Sequence, residues 1–360
     1  MAFISIRVSS FRNLKDAEVF VGADRVLLVG ENGQGKTNFL EALYFLSFGT
    51  SFRGVNDAQA ARIGSSSFAL SGSFTEDVGS PEQTVSVQWD TNGKAIRIDG
   101  KTIRDRKELV RRNPAIVFCH EDFEFASGEP ERRRFFFDQT AGLVSLGYID
   151  ALREYKRTLR QRNAALKTNR EDLLEVFDMQ LAARGLELME DRRRLETDLS
   201  EKFSQRFDAV SLLGEKVRIA YRPNWPPGLG TDAVLARLRA RRHEELALGT
   251  SLSGPHRDRW NFVTETSDFS AKASTGQLRL VSLTLRMIQA EYYTERVGRR
   301  PVLLLDDVLL ELDRARRKRF LELLPAAAQV FFTFLPGESW EENQTGSSLV
   351  YEVKDGRLAG

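Results

Sequence analysis

The sequence predicts an α/β protein: a head with a mixed sheet and an antiparallel subdomain, split in sequence by a helical lobe. Three observations carry this. Arg25 to Val29 is a short apolar run that ends at a glycine-rich loop and is followed by a helical pattern, the order of a buried strand, a turn and a helix. Val302 to Leu305 is a second apolar run, ending in Asp306 and Asp307. Between these halves, from about Tyr148 to Val210, the chain is charged, helical in period and free of proline. The head is therefore expected over 1–147 and 250–360, and the lobe over 148–249.

Each element follows from its own pattern. Phe3 to Val8 and Ala17 to Val21 alternate as strands do, and Lys36 to about Leu46 is helical in period. Residues 68–102 read as antiparallel strands turning at Asn92-Gly93 and Asp99-Gly100. Ala115 to Cys119 reads as another buried strand. The lobe's helical patterns are too broken for a long coiled coil, which needs sustained heptads. Arg222 to Gly230 is a loop by its prolines and glycines. A helix from Asp232 to Arg242 and a turn at Ser253 to Arg257 follow. Gly276 to Val297 and Asp313 to Leu324 are predicted helices, and Gln329 to Phe334 a strand.

A chain of 360 residues has room for two domains at about 100–200 residues each. No run of about 18 uncharged apolar residues is present, so no membrane span is expected. The start, Met1 to Arg7, lacks the basic and apolar segments of a secretory signal. Cys119 is the only cysteine, so no intrachain disulfide can form, which suits a reducing cytoplasm. The net charge of +2 excludes a polycation, although arginines are clustered.

The chemistry starts at Gly30, Glu31, Asn32, Gly33, Gln34, Gly35, Lys36 and Thr37, which fit G-x-x-x-x-G-K-[ST] between a strand and a helix. Glycines let backbone N–H groups turn inward as an anion nest, and the helix N-terminus adds partial positive charge. Lys36 is placed to reach the β- and γ-phosphates of ATP, and the Thr37 hydroxyl to ligate Mg²⁺. An acid at the end of the second apolar strand binds Mg²⁺ in ATPases built this way. Asp306 is assigned to the metal and Asp307 to positioning the attacking water. Aspartate is one methylene shorter than glutamate and holds its carboxylate farther from the γ-phosphate, which points to slow turnover. Ser274-Thr-Gly-Gln277 precedes a strong helix. Alone it is equally an N-cap and an anion-binding turn.

The order of these motifs resembles that of ABC-type ATPases, in which a serine–glycine signature contacts the γ-phosphate held by the opposite head. Glu311 to Asp313 resembles the loop that crosses that dimer interface. A narrower resemblance rests on Phe11-Arg-Asn13, Asn32 to Asn38 with Leu40-Glu-Ala42, Ser51-Phe-Arg53, Arg132-Arg-Arg134 with Phe137-Asp138, Gln161-Arg-Asn163, Gly254-Pro-His-Arg-Asp258 and Leu303 to Val308. Together they resemble the RecF family of repair ATPases related to SMC heads. That resemblance implies an ABC-type P-loop ATPase head with a compact helical lobe and a weak DNA-stimulated ATPase. It implies an ATP-dependent homodimer, binding to double-stranded and gapped DNA, partnership with RecR, and help in loading RecA. It assigns Ser274, Gly276 and Gln277 to the signature acting in trans. Arg12 and Asn13 match a phosphate-touching position, and Arg53 a phosphate-sensing one. The chain departs from the family at Thr275, Leu278, Leu310 and Cys119-His120. It also departs from other ABC heads in having no histidine after the strand ending at Phe334.

Two basic clusters stand out: Arg104, Arg106, Lys107, Arg111 and Arg112, and then Arg153, Lys156, Arg157, Arg160 and Arg162. Positions 153, 156, 157 and 160 share a helix face. Such faces attract phosphate backbones without reading sequence, so Arg104, Arg106, Arg153 and Arg157 are candidate DNA contacts. A solvated face paired with acids is the reading for 184–194. The rival function is the nucleotide-binding subunit of an ABC transporter. Asp307, the missing histidine and an insertion of about a hundred residues argue against it.

Overall fold

The computed structural model describes residues 2–75 and 80–360, with the backbone alone at 310 and 311. The chain divides into two compact units, one formed by 1–122 with 289–360 and the other by 123–288.

The first unit opens with β1 (Ala2–Ser9), β2 (Ala17–Phe20) and β3 (Arg25–Val29), then α1 (Lys36–Phe48) and a short α2 (Asp57–Ala60). β4 (Ser67–Thr75), β5 (Gln83–Asp90), β6 (Gly93–Ile98), β7 (Lys101–Thr102), α3 (Lys107–Arg112) and β8 (Ala115–Phe118) follow. The second unit contains α4 (Glu124–Ser127), α5 (Pro130–Val144), α6 (Leu146–Lys167), α7 (Glu171–Ser211), β9 (Arg218–Arg222), α8 (Thr231–Leu248) and β10 (Arg259–Val263). The remaining elements are α9 (Thr275–Val297), β11 (Val302–Leu305), α10 (Arg314–Glu322), β12 (Gln329–Phe334), β13 (Ser348–Lys354) and β14 (Arg357–Ala359).

Two six-stranded sheets build the first unit. One is antiparallel, in the order β2-β1-β4-β5-β6-β7. The other runs β14-β13-β3-β12-β11-β8 and is parallel except for the β13–β14 hairpin. β8, β11 and β12 are buried at every residue, as strands covered on both faces should be. Helix α1 lies between the sheets, against β4 and β5 on one side and β8 and β12 on the other. Every residue from Phe39 to Phe48 is accordingly buried, the signature of a helix enclosed on all sides. Phe45 meets Phe11 and Phe68 edge-on, with centroids 5.5 and 5.6 Å away. Truncating so buried a ring to alanine costs about 3–5 kcal/mol. Gln329 ties the sheets together: its amide accepts from Phe3 N (3.0 Å) and donates to Phe3 O and Ala23 O (3.2 and 2.9 Å).

In the second unit, α6 and the 41-residue α7 pack along each other. At 1.5 Å per residue α7 is about 60 Å long. Residues 123–147 and 250–288 belong to this unit, not to the head at 1–147 and 250–360. The cause is packing: α5 lies against α6, α7 and β10, and β9, paired with β10, lies against α7.

Arg162 corrects a further expectation. It is not part of an exposed basic face but fully buried. The inward residues of α6 are Tyr148, Ala151, Tyr155, Thr158, Arg162, Ala165 and Leu166, spaced three or four apart, and position 162 falls on that stripe. Its guanidinium donates to Asp178 (2.6 Å), Glu245 (2.7 Å) and Ser251 (2.7 Å). A second buried arginine, Arg192, donates to Asp138 (2.9 Å), Asp258 (2.7 Å) and Pro255 O (2.8 Å). Asp138 and the Gly254–Asp258 turn are thus held as parts of this unit's core.

Candidate nucleotide site

β3 ends at Val29, and the loop that starts at Gly30 crosses from the sheet to the N-terminus of α1. Gly35 caps that helix at φ 118°, a conformation that L side chains rarely adopt. A Cβ there would also lie 3.1 Å from Asn13 Oδ1 and Leu14 Cδ2. Lys36 is buried, and its Nζ donates to Gly30 O (2.6 Å) and Glu31 O (3.1 Å). The ammonium thus sits over its own loop.

β11 and β12 bring the acids to this loop. Thr37 Oγ1 donates to Asp306 Oδ1 at 2.8 Å, across 269 residues of sequence. Burial pushes the Asp306 carboxyl up to about 7; the Thr37 hydrogen bond opposes this, Asp307 reinforces it and Arg53 opposes it. Asp307 stands at φ 52°, uncommon for a residue with a side chain. Thr333, on β12, accepts from Asp307 N and donates to Asp307 Oδ1, both at 2.8 Å. Lys36, Thr37, Arg53 and Asp307 line one cleft of about 250 Å³.

Asn13 braces the loop, and Arg12 beside it is tied to α1. Arg12 forks onto the buried Glu41, with Nε and Nη2 at 2.9 and 2.7 Å from its two oxygens. Ser51 Oγ donates to the same carboxylate (2.5 Å), and Arg53 stands 3.5 Å from it. Asn13 Nδ2 donates to Gly33 O (3.0 Å), and its Oδ1 accepts from Asn38 Nδ2 (2.7 Å). The β13–β14 hairpin closes on the loop from the other end of the chain. Asp355 N donates to Gln34 Oε1 (2.7 Å) and Gly356 N to Gln34 O (2.9 Å). The turn has φ of 49° at Asp355 and 76° at Gly356, as a two-residue hairpin requires. A Cβ on Gly356 would meet Asn13 O at 2.0 Å.

One family model matches over most of the chain. The model for the RecF/RecN/SMC N terminal domain covers residues 3–356. The DNA replication and repair protein RecF of Treponema pallidum (strain Nichols) is 39% identical over 96% of this chain and 98% of its own length. The chain belongs to the RecF family. The RecF of Chlamydia caviae is 32% identical over 100% of this chain and 98% of that one. A solved structure of the recombination mediator protein RecF-ATP superposes with a TM-score of 0.89 at 29% identity, covering 99% of this chain and 96% of that one. An Smc head bound to the C-winged helix domain of ScpA shares the fold at a TM-score of 0.60 and 15% identity. The fold is therefore the P-loop ATPase type, with a mixed sheet and a helical lobe, as the motifs predict.

The other candidate residues lie elsewhere on the chain. Ser274 and Gln277 form a capping box: Ser274 N donates to Gln277 Oε1 (2.7 Å) and Gln277 N to Ser274 Oγ (3.3 Å). Ser274 and Gly276 are exposed, and nothing lies within 4 Å of a Cβ built on Gly276. Asp313 caps α10 by accepting from Arg316 N (2.9 Å); the Glu311 side chain is outside the described residues. Arg104 and Arg106 are exposed between β7 and α3, and Arg153 and Arg157 are exposed on α6. The two clusters belong to different units. Among the described residues no helix is long and apolar enough to cross a membrane.

Sequence reasoning missed Thr333, Glu41 and the Asp355-Gly356 turn. Thr333 had a signal, being a hydroxyl in an otherwise apolar run of β12. Asp-Gly between alternating stretches was a hairpin signal.

Proposed function

We propose that this chain is an ATP-dependent DNA-binding protein of recombinational repair, with a slow ATPase that resets it. The pairing of Thr37 with Asp306 at 2.8 Å, on a loop already folded around Lys36, is the observation that carries this reading. Two oxygen ligands in contact suit Mg²⁺, which takes few protein ligands and completes its shell from phosphates and water. Mg²⁺ held by Thr37 and Asp306 would neutralise charge on the β- and γ-phosphate oxygens.

The chain's own groups do the rest. Loop N–H groups and the α1 N-terminus receive the phosphates. Lys36 exchanges the loop carbonyls for a phosphate, a stronger charge-assisted partner. Asp307 orients the attacking water. Ser274, Gly276 and Gln277 present an open helix N-terminus, which we assign to the γ-phosphate bound by a second copy. ATP would then join two heads, hydrolysis would part them, and the exposed arginines would hold double-stranded or gapped DNA meanwhile. The solved relative, the recombination mediator protein RecF-ATP, supports the nucleotide. Relatives named for DNA replication and repair, matched over nearly their whole length, favour DNA over a transporter. RecR is proposed as a partner on family resemblance.

The test is mass in solution with and without Mg²⁺-ATP, for wild type and Ser274→Arg. The expected result is an ATP-dependent dimer in wild type and an ATP-binding monomer in the variant. An unchanged dimer in Ser274→Arg would overturn the assignment in trans.

A further inference from the structure

We infer that Thr333 is a positioning residue for ATP hydrolysis, holding Asp307 through both its backbone and its carboxylate. The inference rests on the ATPase reading above and goes further, to a residue outside the recognised motifs.

Two independent observations converge on this hydroxyl. Asp307 adopts φ 52° and ψ 14° directly before a 3-10 turn, Val308–Glu311. A left-handed aspartate costs free energy and persists only where its surroundings hold it. Thr333 Oγ1 accepts the Asp307 N–H at 2.8 Å, satisfying the donor that this conformation turns towards β12. The same hydroxyl donates to Asp307 Oδ1, also at 2.8 Å. A single oxygen therefore fixes the main chain and the side chain of one residue.

The location gives this a chemical meaning. β11 and β12 are parallel neighbours in register, Leu305 opposite Phe332, so Thr333 stands one step beyond the last strand pair before the acids. It is buried, so water does not compete for the hydroxyl. With Oδ1 engaged, Oδ2 is the carboxylate oxygen left for a water in the cleft that Asp307 shares with Lys36 and Thr37. Fixing the rotamer of a short acid matters more than fixing that of a long one, because a displaced aspartate has less reach with which to recover. Thr333 touches neither nucleotide nor water in this scheme; its Oγ1 also lies 3.4 Å from Leu305 O and 3.5 Å from Asp306 Oδ1, but its two short hydrogen bonds are to Asp307, and it acts chiefly through that residue.

Single-turnover and steady-state hydrolysis would be measured with Mg²⁺-ATP for wild type, Thr333→Val, Thr333→Cys, Thr333→Ser and Asp307→Asn. The double variant Thr333→Val with Asp307→Asn completes a cycle, and ATP affinity and melting temperature are followed in each. Valine keeps the shape and removes the hydroxyl; cysteine offers a thiol, a weaker donor and acceptor; serine restores the hydroxyl. Thr333→Val should lower kcat about ten- to a hundredfold, the worth of a hydrogen bond to a charged group, with KM and ATP affinity unchanged. Cysteine should fall between, serine should recover most of the rate, and the double variant should be no slower than Asp307→Asn alone. Full kcat in Thr333→Val, a loss confined to ATP affinity, or a further loss in the double variant would overturn the inference. If valine fails to fold, the serine–cysteine pair decides: equal rates overturn the inference. A wild type that binds Mg²⁺-ATP without turnover would overturn the ATPase reading itself, and this inference with it.

Discussion

Lys36 and Asp307 should fail in opposite ways when their charge is removed. Lys36 is the only side chain ammonium on the loop, so Lys36→Met should weaken ATP binding by an order of magnitude or more, about 1.5–3 kcal/mol. Asp307→Asn should leave binding and the ATP-joined dimer intact and cut hydrolysis to a small, still measurable, residual rate. Calorimetric titration with ATP, beside phosphate release, separates the two; hydrolysis near the wild-type rate in Asp307→Asn would require another water-positioning group. Arg162 and Arg157 make a second contrast. Arg162→Ala leaves Glu245 buried without its cation and Asp178 with Arg242 alone (2.8 Å), and should cost about 3–5 kcal/mol in chemical denaturation. Arg157→Ala, on an exposed position, should cost under about 0.5 kcal/mol. The pair also shows what sequence could reveal. Residue type and charge are the same, and only the three-four spacing of Tyr155, Thr158 and Arg162 separates inside from outside. The loop and the acid pair were legible because each is a short contiguous motif, although 269 residues separate them. Glu41 and Thr333 were not, because their partners lie far away in sequence: Glu41 meets Arg12 across 29 residues and Thr333 meets Asp307 across 26.

Among the elements, long apolar runs such as β3, β11 and β12 could be read directly, whereas the β9–β10 and β13–β14 pairs could not. β13 is half-exposed at most positions, so it carries little hydrophobic signal. Yet its turn supports the phosphate loop. Gly356→Ala would place a methyl 2.0 Å from Asn13 O at φ 76°. The hairpin must then withdraw from Gln34, and ATP affinity should fall while the melting temperature of the second unit holds. Binding equal to wild type would show that the brace is dispensable. The Gly254–Asp258 turn makes a different prediction. His256 Nε2 donates to Ser251 O (3.1 Å), so its Nδ1 accepts from Tyr155 OH (2.7 Å), and the ring is neutral. Burial pushes His256 down to about 4 from 6.5; the Ser251 hydrogen bond opposes this, and Arg257, Arg134 and Arg162 add to the fall. The unfolded chain therefore binds this proton first. The stability from a neutral His256 is fully present above about pH 6.5 and drains away as pH falls towards 4, by up to about 3 kcal/mol. Denaturant midpoints across that window should slope more steeply in wild type than in His256→Gln.

At the scale of the molecule, a net charge of +2 leaves one head weakly attracted to duplex DNA. Two heads joined by ATP would present the 104–112 and 153–160 arginines twice, and bivalency would raise affinity without new contacts. Log affinity against log salt should fall by about 0.9 per phosphate neutralised. The slope should be steeper with ATP than without it, and shallower in Arg153→Glu with Arg157→Glu. Equal slopes in all states would place DNA on another surface. The sheet that carries the nucleotide loop has its own consequence, in time. β3 lies between β12 and β13, and Gln34 waits for Asp355, 321 residues later. At about 5–20 residues per second, a growing chain carries its loop for roughly a quarter of a minute to a minute before that partner is made. During synthesis this apolar strand, buried from Val26 to Val29 in the finished head, has neither neighbour, and a factor that shields it on the ribosome would raise the yield of folded protein from each message.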